Sequence, residues 1–394
     1  SFAAFVATMP VVVLIFHLFA SAAVLTNLFA IPLVSFLALP AGLLGLGVSP
    51  LLPQLGLPLL HFSAWTLHLL IALVSRVAEL PAFLSRPLFL TLGENLAVFL
   101  ASLGLLAAWR RPAGLLLLLP AFYLYYSAPA IPRAAEVTLF SVGQGESLLL
   151  QVEGRNILVD GGGLRSSRFE VGERLLAPAL GRLGVRSLDA IILSHNHPDH
   201  SGGLTYIVRH FAVGEFWSAL APADLGPALH QALVARGVET RRFSESAWRQ
   251  PGVAGVAGIS LFLPPATAVG SNNQSLCLYL ESQSGGLLLT GDLEAEGVAA
   301  LNLSRLPGPV TLLKAPHHGS AGSSPEDLLR RFLPRAVLVS AGYQNPYHFP
   351  STRLLQTAET LGIGVWRTDL DGTLRVRFGG KDLHIACWRK GVFR

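Results

Sequence analysis

The stretch Ser194-His195-Asn196-His197-Pro198-Asp199-His200-Ser201-Gly202-Gly203 governs how this chain is understood. Within six positions it places three imidazoles and one carboxylate, ligand types that bind zinc, manganese or iron. It follows Leu188-Asp189-Ala190-Ile191-Ile192-Leu193, a run apolar enough for a buried strand. Gly202 and Gly203 then permit a turn. A strand that ends in a fixed group of metal ligands is a foundation for hydrolytic chemistry.

Three further clusters repeat the pattern. Ile157-Leu158-Val159 runs into Asp160-Gly161-Gly162-Gly163, and Leu287-Leu288-Leu289 runs into Thr290-Gly291-Asp292. Leu312-Leu313-Lys314 runs into Ala315-Pro316-His317-His318-Gly319-Ser320. Another histidine lies in Asn345-Pro346-Tyr347-His348-Phe349-Pro350. Alone, an Asp-Gly pair is ordinary turn chemistry, and a His-His pair is weak evidence of a site. Together, in this order, the clusters are far more specific.

Charge is unevenly spread. The 394 residues hold 29 basic and 24 acidic side chains, a net of +5 with histidine neutral. Residues 1–133 carry only five of the basic ones (Arg76, Arg86, Arg110, Arg111, Arg133) and two acidic ones (Glu79, Glu94). The remaining 24 basic and 22 acidic residues net only +2, so a local patch rather than the global charge would have to hold a polyanion. The length allows two or three domains. Cys277 and Cys387 sit in strand-like runs and are expected to pack in the core. The chain begins at Ser1 without a methionine or the charged start of a signal peptide, so it is expected to be the C-terminal part of a longer protein.

Apolar stretches near 2–20, 22–46, 57–74, 95–109 and 113–126 approach the roughly 20 residues that cross a bilayer. Pro10, Pro32, Pro40 and Pro120 lie inside them, which a bundle tolerates when neighbouring helices re-satisfy the backbone. Residues 76–91 suit either an amphipathic surface piece or a polar loop. Arg110 and Arg111 precede the last span, which places that end in the cytoplasm and the following domain outside. The expected organisation is a transmembrane helical segment over 1–127, a linker over 128–135 containing Pro129 and Pro132, and a soluble domain over 136–394.

In the soluble part, strands are expected at 137–142, 147–152, 156–159, 188–193, 259–263, 276–280, 287–289, 310–313 and 336–339. Helices are expected at 173–183, 204–210, 293–301, 325–332 and 351–361. Such mixing implies helices packed on sheets, an α/β layered domain.

The order strand-Asp, His-x-His-x-Asp-His, Thr-Gly-Asp and later histidines resembles the metallo-β-lactamase superfamily. That resemblance implies an αββα sandwich with metal at its strand ends. Ser141-Val142-Gly143-Gln144-Gly145-Glu146, the His-His-Gly-Ser run and Asn345-Pro346-Tyr347-His348 resemble the C-terminal domain of ComEC-type competence DNA channels. Asn27-Leu28-Phe29-Ala30-Ile31-Pro32-Leu33-Val34 is similar to the end of their membrane domain. The resemblance covers essentially the whole chain and implies a missing N-terminal half.

Carried over, it implies that His195 and His197 bind one ion, that Asp199 and His200 bind a second, and that Asp292 bridges them. A late histidine completes the second site. His348 is the favoured candidate, His317 and His318 compete, and His318 is otherwise a phosphate contact. The catalytic group is then Asp199, His200, Asp292 and His318. Asp160 is expected to orient the ligand loops by hydrogen bonds. The superfamily's further histidine, between the main cluster and Thr-Gly-Asp, is missing: that interval holds only His210 and His230, in helix-like contexts. Asn272-Asn273-Gln274-Ser275 stands there instead, so Asn273 or water is expected to complete the first site. The cofactor is a divalent metal, Mn2+ or Zn2+, as one or two ions. Glu146 keeps a charge that such domains carry as Asp, whereas Ser141 loses one.

Lys314, His318 and Ser320 are expected to face a substrate phosphate, and Arg165 with Arg168 to track a DNA backbone. Phe169, Trp217 and Trp248 are candidates either for base stacking or for ordinary packing. The resemblance implies a nuclease that degrades the non-transforming strand during DNA import, in the bacterial cytoplasmic membrane with the hydrolase domain outside. It also implies work beside a DNA receptor and a cytoplasmic translocation ATPase. The alternatives are a small-molecule lactam or ester hydrolase and a non-catalytic DNA-binding module.

Overall fold

The structure is a computed structural model and describes residues 2–79, 85–127, 134–163, 169–379, 382–389 and 392–393. The chain divides into two compact units, 1–128 and 129–394.

The first unit is built from apolar helices: α1 (Phe2–Phe16), α2 (Ala22–Val48), α3 (Pro53–Ala78), α4 (Leu92–Ala108) and α5 (Pro112–Tyr126). Among the described residues only α2 and α3, of 27 and 26 residues, are long and apolar enough to cross a membrane. The five expected spans therefore reduce to two full-length helices and three shorter ones. α1 stops at Phe16 because His17 turns left-handed. α4 begins three residues earlier than expected because Thr91 and Glu94 form a reciprocal capping box. Among the described residues, 76–91 holds no separate amphipathic helix: Arg76 lies in the last turn of α3 and Ser85–Pro87 pairs with Leu18–Ala20. Large apolar side chains such as Leu28, Phe36 and Leu43 stand exposed on this unit.

The second unit stacks two sheets. Its strands are β1 (Glu136–Leu139), β2 (Leu148–Val152), β3 (Arg155–Val159), β4 (Ser187–Leu193), β5 (Ala212–Ser218), β6 (Glu239–Arg242), β7 (Ile259–Phe262), β8 (Cys277–Ser282), β9 (Gly285–Leu289), β10 (Val310–Lys314), β11 (Ala336–Val339), β12 (Gly364–Arg367), β13 (Leu374–Gly379), β14 (Asp382–Arg389) and β15 (Val392–Phe393). One sheet runs β15-β14-β13-β1-β2-β3-β4-β5-β6 and the other β12-β11-β10-β9-β8-β7. Helices α6 (Ala177–Arg182), α7 (Pro198–Ser201), α8 (Leu204–His210), α9 (Pro227–Arg236), α10 (Ala295–Ala300), α11 (Pro325–Phe332), α12 (Thr352–Thr360) and α13 (Thr368–Asp371) fall between strands.

Strand alternation builds the sandwich interior and a helix-covered outer face on the second sheet. Leu148, Leu150, Ile157 and Ile192 of the first sheet meet Leu278, Leu287, Leu312 and Leu338 of the second in the sandwich interior. The neighbours Leu288, Leu313 and Val337 point outward and pack with Val298, Leu328, Leu329 and Leu354 of α10, α11 and α12. Cys277 and Cys387 are both free and buried.

Pairing is parallel from β3 through β6 and from β9 through β12. Parallel strands expose their carboxyl ends together, and loops there are where α/β sheets collect ligands. The four clusters follow β3, β4, β9 and β10, so the topology delivers them to one edge of the sandwich.

Candidate metal centre

Asp160 leaves β3 with a left-handed backbone, φ 57°. Its Oδ1 accepts from the Ser194 backbone N–H at 2.7 Å, and its Oδ2 accepts from Ser194 Oγ at 2.7 Å. The same Oδ2 lies 2.7 Å from His200 Nδ1. This locks the loop after β4 and aims His200 Nε2 at Asp292, whose Oδ2 is 3.2 Å away. Gly163 is required nearby, because a Cβ there would stand 1.9 Å from the Pro198 carbonyl.

His318 approaches the same carboxylate from β10. Its Nδ1 lies 2.9 Å from the Ser340 carbonyl, so Nε2 faces Asp292 Oδ2 at 3.4 Å and Asp199 Oδ2 at 3.6 Å. One ligand atom each from Asp199, His200, Asp292 and His318 thus lies within 4.8 Å of the others, forming a metal-binding cluster.

The donor set fits a divalent cation. The ring Nε2 atoms of His200 and His318 and Asp292 Oδ1 are buried and make no hydrogen bond among the described residues. Buried polar atoms left so are costly unless something else fills the gap. Electrostatics agree. Burial opposes charge on His318, but Asp292 and the contacts to Asp199 outweigh it and raise the ring to about 9. Burial likewise opposes charge on Asp292, yet His318 and His200 hold it well below the usual carboxylate range. The carboxylates are in a field that a bound cation would supply instead of protons.

His195 and His197 stand to one side of this group. His195 is buried, with Nδ1 3.1 Å from Ser194 Oγ and Nε2 without a hydrogen bond among the described residues. Burial and then His200 lower its pKa. His197 Nε2 is 2.9 Å from Ser271 Oγ. His317 is half-buried, with Nε2 3.8 Å from Asp292 Oδ2.

Three expectations from sequence are corrected. His348 is exposed and outside the four-residue group, and His318 stands at that corner. Both His317 and His318 adopt left-handed backbone, φ 44° and 56°, which turns the pair into the site. Asn273 does not reach it: Oδ1 accepts from the N–H groups of Glu294 and Gly297, and Nδ2 donates to Val269, so its amide is spent bracing α10. Lys314 does not face substrate either. It is fully buried, paired with Glu146, and 3.7 Å from Asp292 Oδ1. Burial works against its charge, but Glu146 and Asp292 outweigh it and hold the amine above its ordinary value. Ser320 caps the short helical turn after it by accepting from Gly322 N–H. Arg165 and Arg168 lie outside the described residues.

A cavity of about 500 Å³ opens over the cluster, lined by Asp199, Asp292 and His318 and, on other walls, by Gln144, Tyr347 and Phe349. No lysine or arginine is among the described residues lining it. The aromatic wall was missed from sequence, where Phe169, Trp217 and Trp248 drew attention. Trp217 lies in the inter-sheet core and Trp248 stacks on Phe262, and none of the three lines the cavity.

Comparison with known proteins fits both halves. The family described as "Metallo-beta-lactamase superfamily" is matched over residues 141–343, and the one described as "Competence protein" over residues 1–113. ComE operon protein 3 of Bacillus subtilis is 26% identical over 397 residues, covering 94% of this chain and 50% of its own length. The competence protein ComA of Neisseria gonorrhoeae is 32% identical over 379 residues, covering 93% and 50%. The chain thus spans about half the length of these relatives. Among solved structures, a diphosphatase from the PhnP family is 16% identical, covers 62% of this chain and 98% of its own, and has a TM-score of 0.39. With the family matched over more than half its residues, this chain belongs to the metallo-β-lactamase superfamily, its hydrolase-like domain preceded by a Competence-family segment.

Proposed function

We propose that the second unit is a metal-dependent phosphodiester hydrolase, a nuclease, in a membrane protein of bacterial DNA uptake. The observation that carries the hydrolase reading is the Asp199–His200–Asp292–His318 group, buried except at Asp199 and opening onto a cavity. DNA as substrate is supported by the competence names of the relatives. A divalent ion bound there supplies an activated water and charge for the developing phosphate. The chain's own residues do the rest. Asp160 and the Ser340 carbonyl hold His200 and His318 by their far nitrogens. His317 lines the cavity beside them, its pKa lowered first by burial. The ligand roles of His195 and His197 are part of the same proposal, as a weaker second site.

In this reading α2 and α3, with the shorter apolar helices, sit in the cytoplasmic membrane as a multi-pass segment. The hydrolase unit lies outside and works beside a DNA receptor and a cytoplasmic translocation ATPase. In the same reading the linker 128–135 joins the two units.

One observation favours a second reading. The cavity over the cluster is about 500 Å³, within the range of small-molecule sites, which suits a small ester or lactam. The full chain in detergent, loaded with Mn2+ or Zn2+, decides between them. Cutting of an end-labelled single strand, lost in Asp292→Ala, is the expected result. Hydrolysis of nitrocefin or a lactone with no strand cutting overturns the nuclease reading. DNA binding with neither activity overturns both.

A further inference from the structure

The loop Asn345-Pro346-Tyr347-His348-Phe349-Pro350 is braced from within. Asn345 Nδ2 donates to the carbonyls of Gly342 and Phe349 at 3.1 and 2.9 Å, and its Oδ1 accepts from Phe349 N–H at 2.9 Å. The brace holds an array of rings. Tyr347 stacks on Phe349 with centroids 5.5 Å apart and planes 19° apart. Phe349 stacks on His318 at 6.3 Å and 25°, and meets His317 edge-on at 5.7 Å. The outermost ring, Tyr347, is 57% exposed. Tyr347 and Phe349 both line the cavity over the metal cluster.

A large ring left in solvent on a stiff loop contributes nothing to the fold core. It offers a flat face whose ordering cost is already met. The array is continuous from solvent to His318, so a planar group stacked on Tyr347 lies three ring spacings from the His318 imidazole. Stacking is sequence-tolerant and needs a base free of its partner strand.

Resting on the phosphodiester reading above, we propose that Tyr347 and Phe349 form a stacking platform for one unpaired nucleobase of the strand whose phosphate is presented to the Asp199–His200–Asp292–His318 group. Tyr347 is then a specificity residue. It makes the domain read a single strand by its bases.

The test compares a fluorescent single-stranded oligonucleotide with the same strand made abasic at consecutive positions. The full chain is used in detergent with Mn2+, for the parent, Tyr347→Ala and Tyr347→Trp. Binding is read by anisotropy and cutting by gel. The parent is expected to prefer the base-bearing strand. Tyr347→Ala is expected to weaken its binding and raise KM by about tenfold, with no change toward the abasic strand. Tyr347→Trp is expected to restore the preference. Metal content per chain, measured alongside, is expected to stay at the parent value in both variants. Equal loss on both strands, or no loss on either, overturns the platform. If the parent binds base-bearing strands selectively but cuts none, the nuclease reading fails while the platform stands.

Discussion

The two ends of the His195–His200 run are close in sequence and held very differently. His200 has its far nitrogen clamped by Asp160 at 2.7 Å, and its near nitrogen points at Asp292. His197 spends Nε2 on the hydroxyl of Ser271, and among the described residues His195 has the neighbouring Ser194 hydroxyl behind it. A carboxylate behind an imidazole fixes its tautomer and raises its basicity, whereas a serine hydroxyl does neither firmly. A ligand motif is therefore graded by what stands behind it, and the Asp199–His200 side is the stronger half.

The largest expected effect comes from Asp292→Ala, which removes the group both His200 and His318 face. Metal retained after gel filtration is expected to fall by more than about 100-fold in affinity, beyond the range for an outer partner. Lys314→Met leaves Glu146 buried and uncompensated. It is expected to cost about 3–5 kcal/mol of stability, with Lys314→Met/Glu146→Leu recovering most of it, as thermal unfolding would show. Asp160→Asn is expected to weaken metal binding by about 10–100-fold in a chelator competition. His197→Ala is expected to change the same competition by less than about tenfold. If His197→Ala instead matches Asp160→Asn, the two sides are equally strong and the contrast fails.

Much of this was legible in the sequence because the ligands are local to strand ends. The runs before Asp160, His195, Asp292 and His317 are apolar and short, and β11 and α8 fall where expected. What escaped depends on geometry that spacing does not carry. Choosing His318 over His348 needed two successive left-handed residues. Lys314 was readable in principle. It shares strand parity with Leu312, which faces the sandwich interior, and so points inward like it. Strand β6, Glu-Thr-Arg-Arg, is exposed throughout and has no alternation to find. Strand β5 contains Gly214 and Glu215, which obscure its period.

The backbone of His317 and His318 has an implication for engineering. L-residues in the left-handed region cost about 1–2 kcal/mol each, and Gly319 behind them is also left-handed, φ 83°. This turn is held against its own preference to deliver an imidazole. Replacing His317 by glycine would relax it, so His317→Gly is expected to raise the melting temperature while hydrolysis falls. A search for thermostable variants of this domain would then drift toward inactive ones at this turn, and selections should score turnover together with heat resistance.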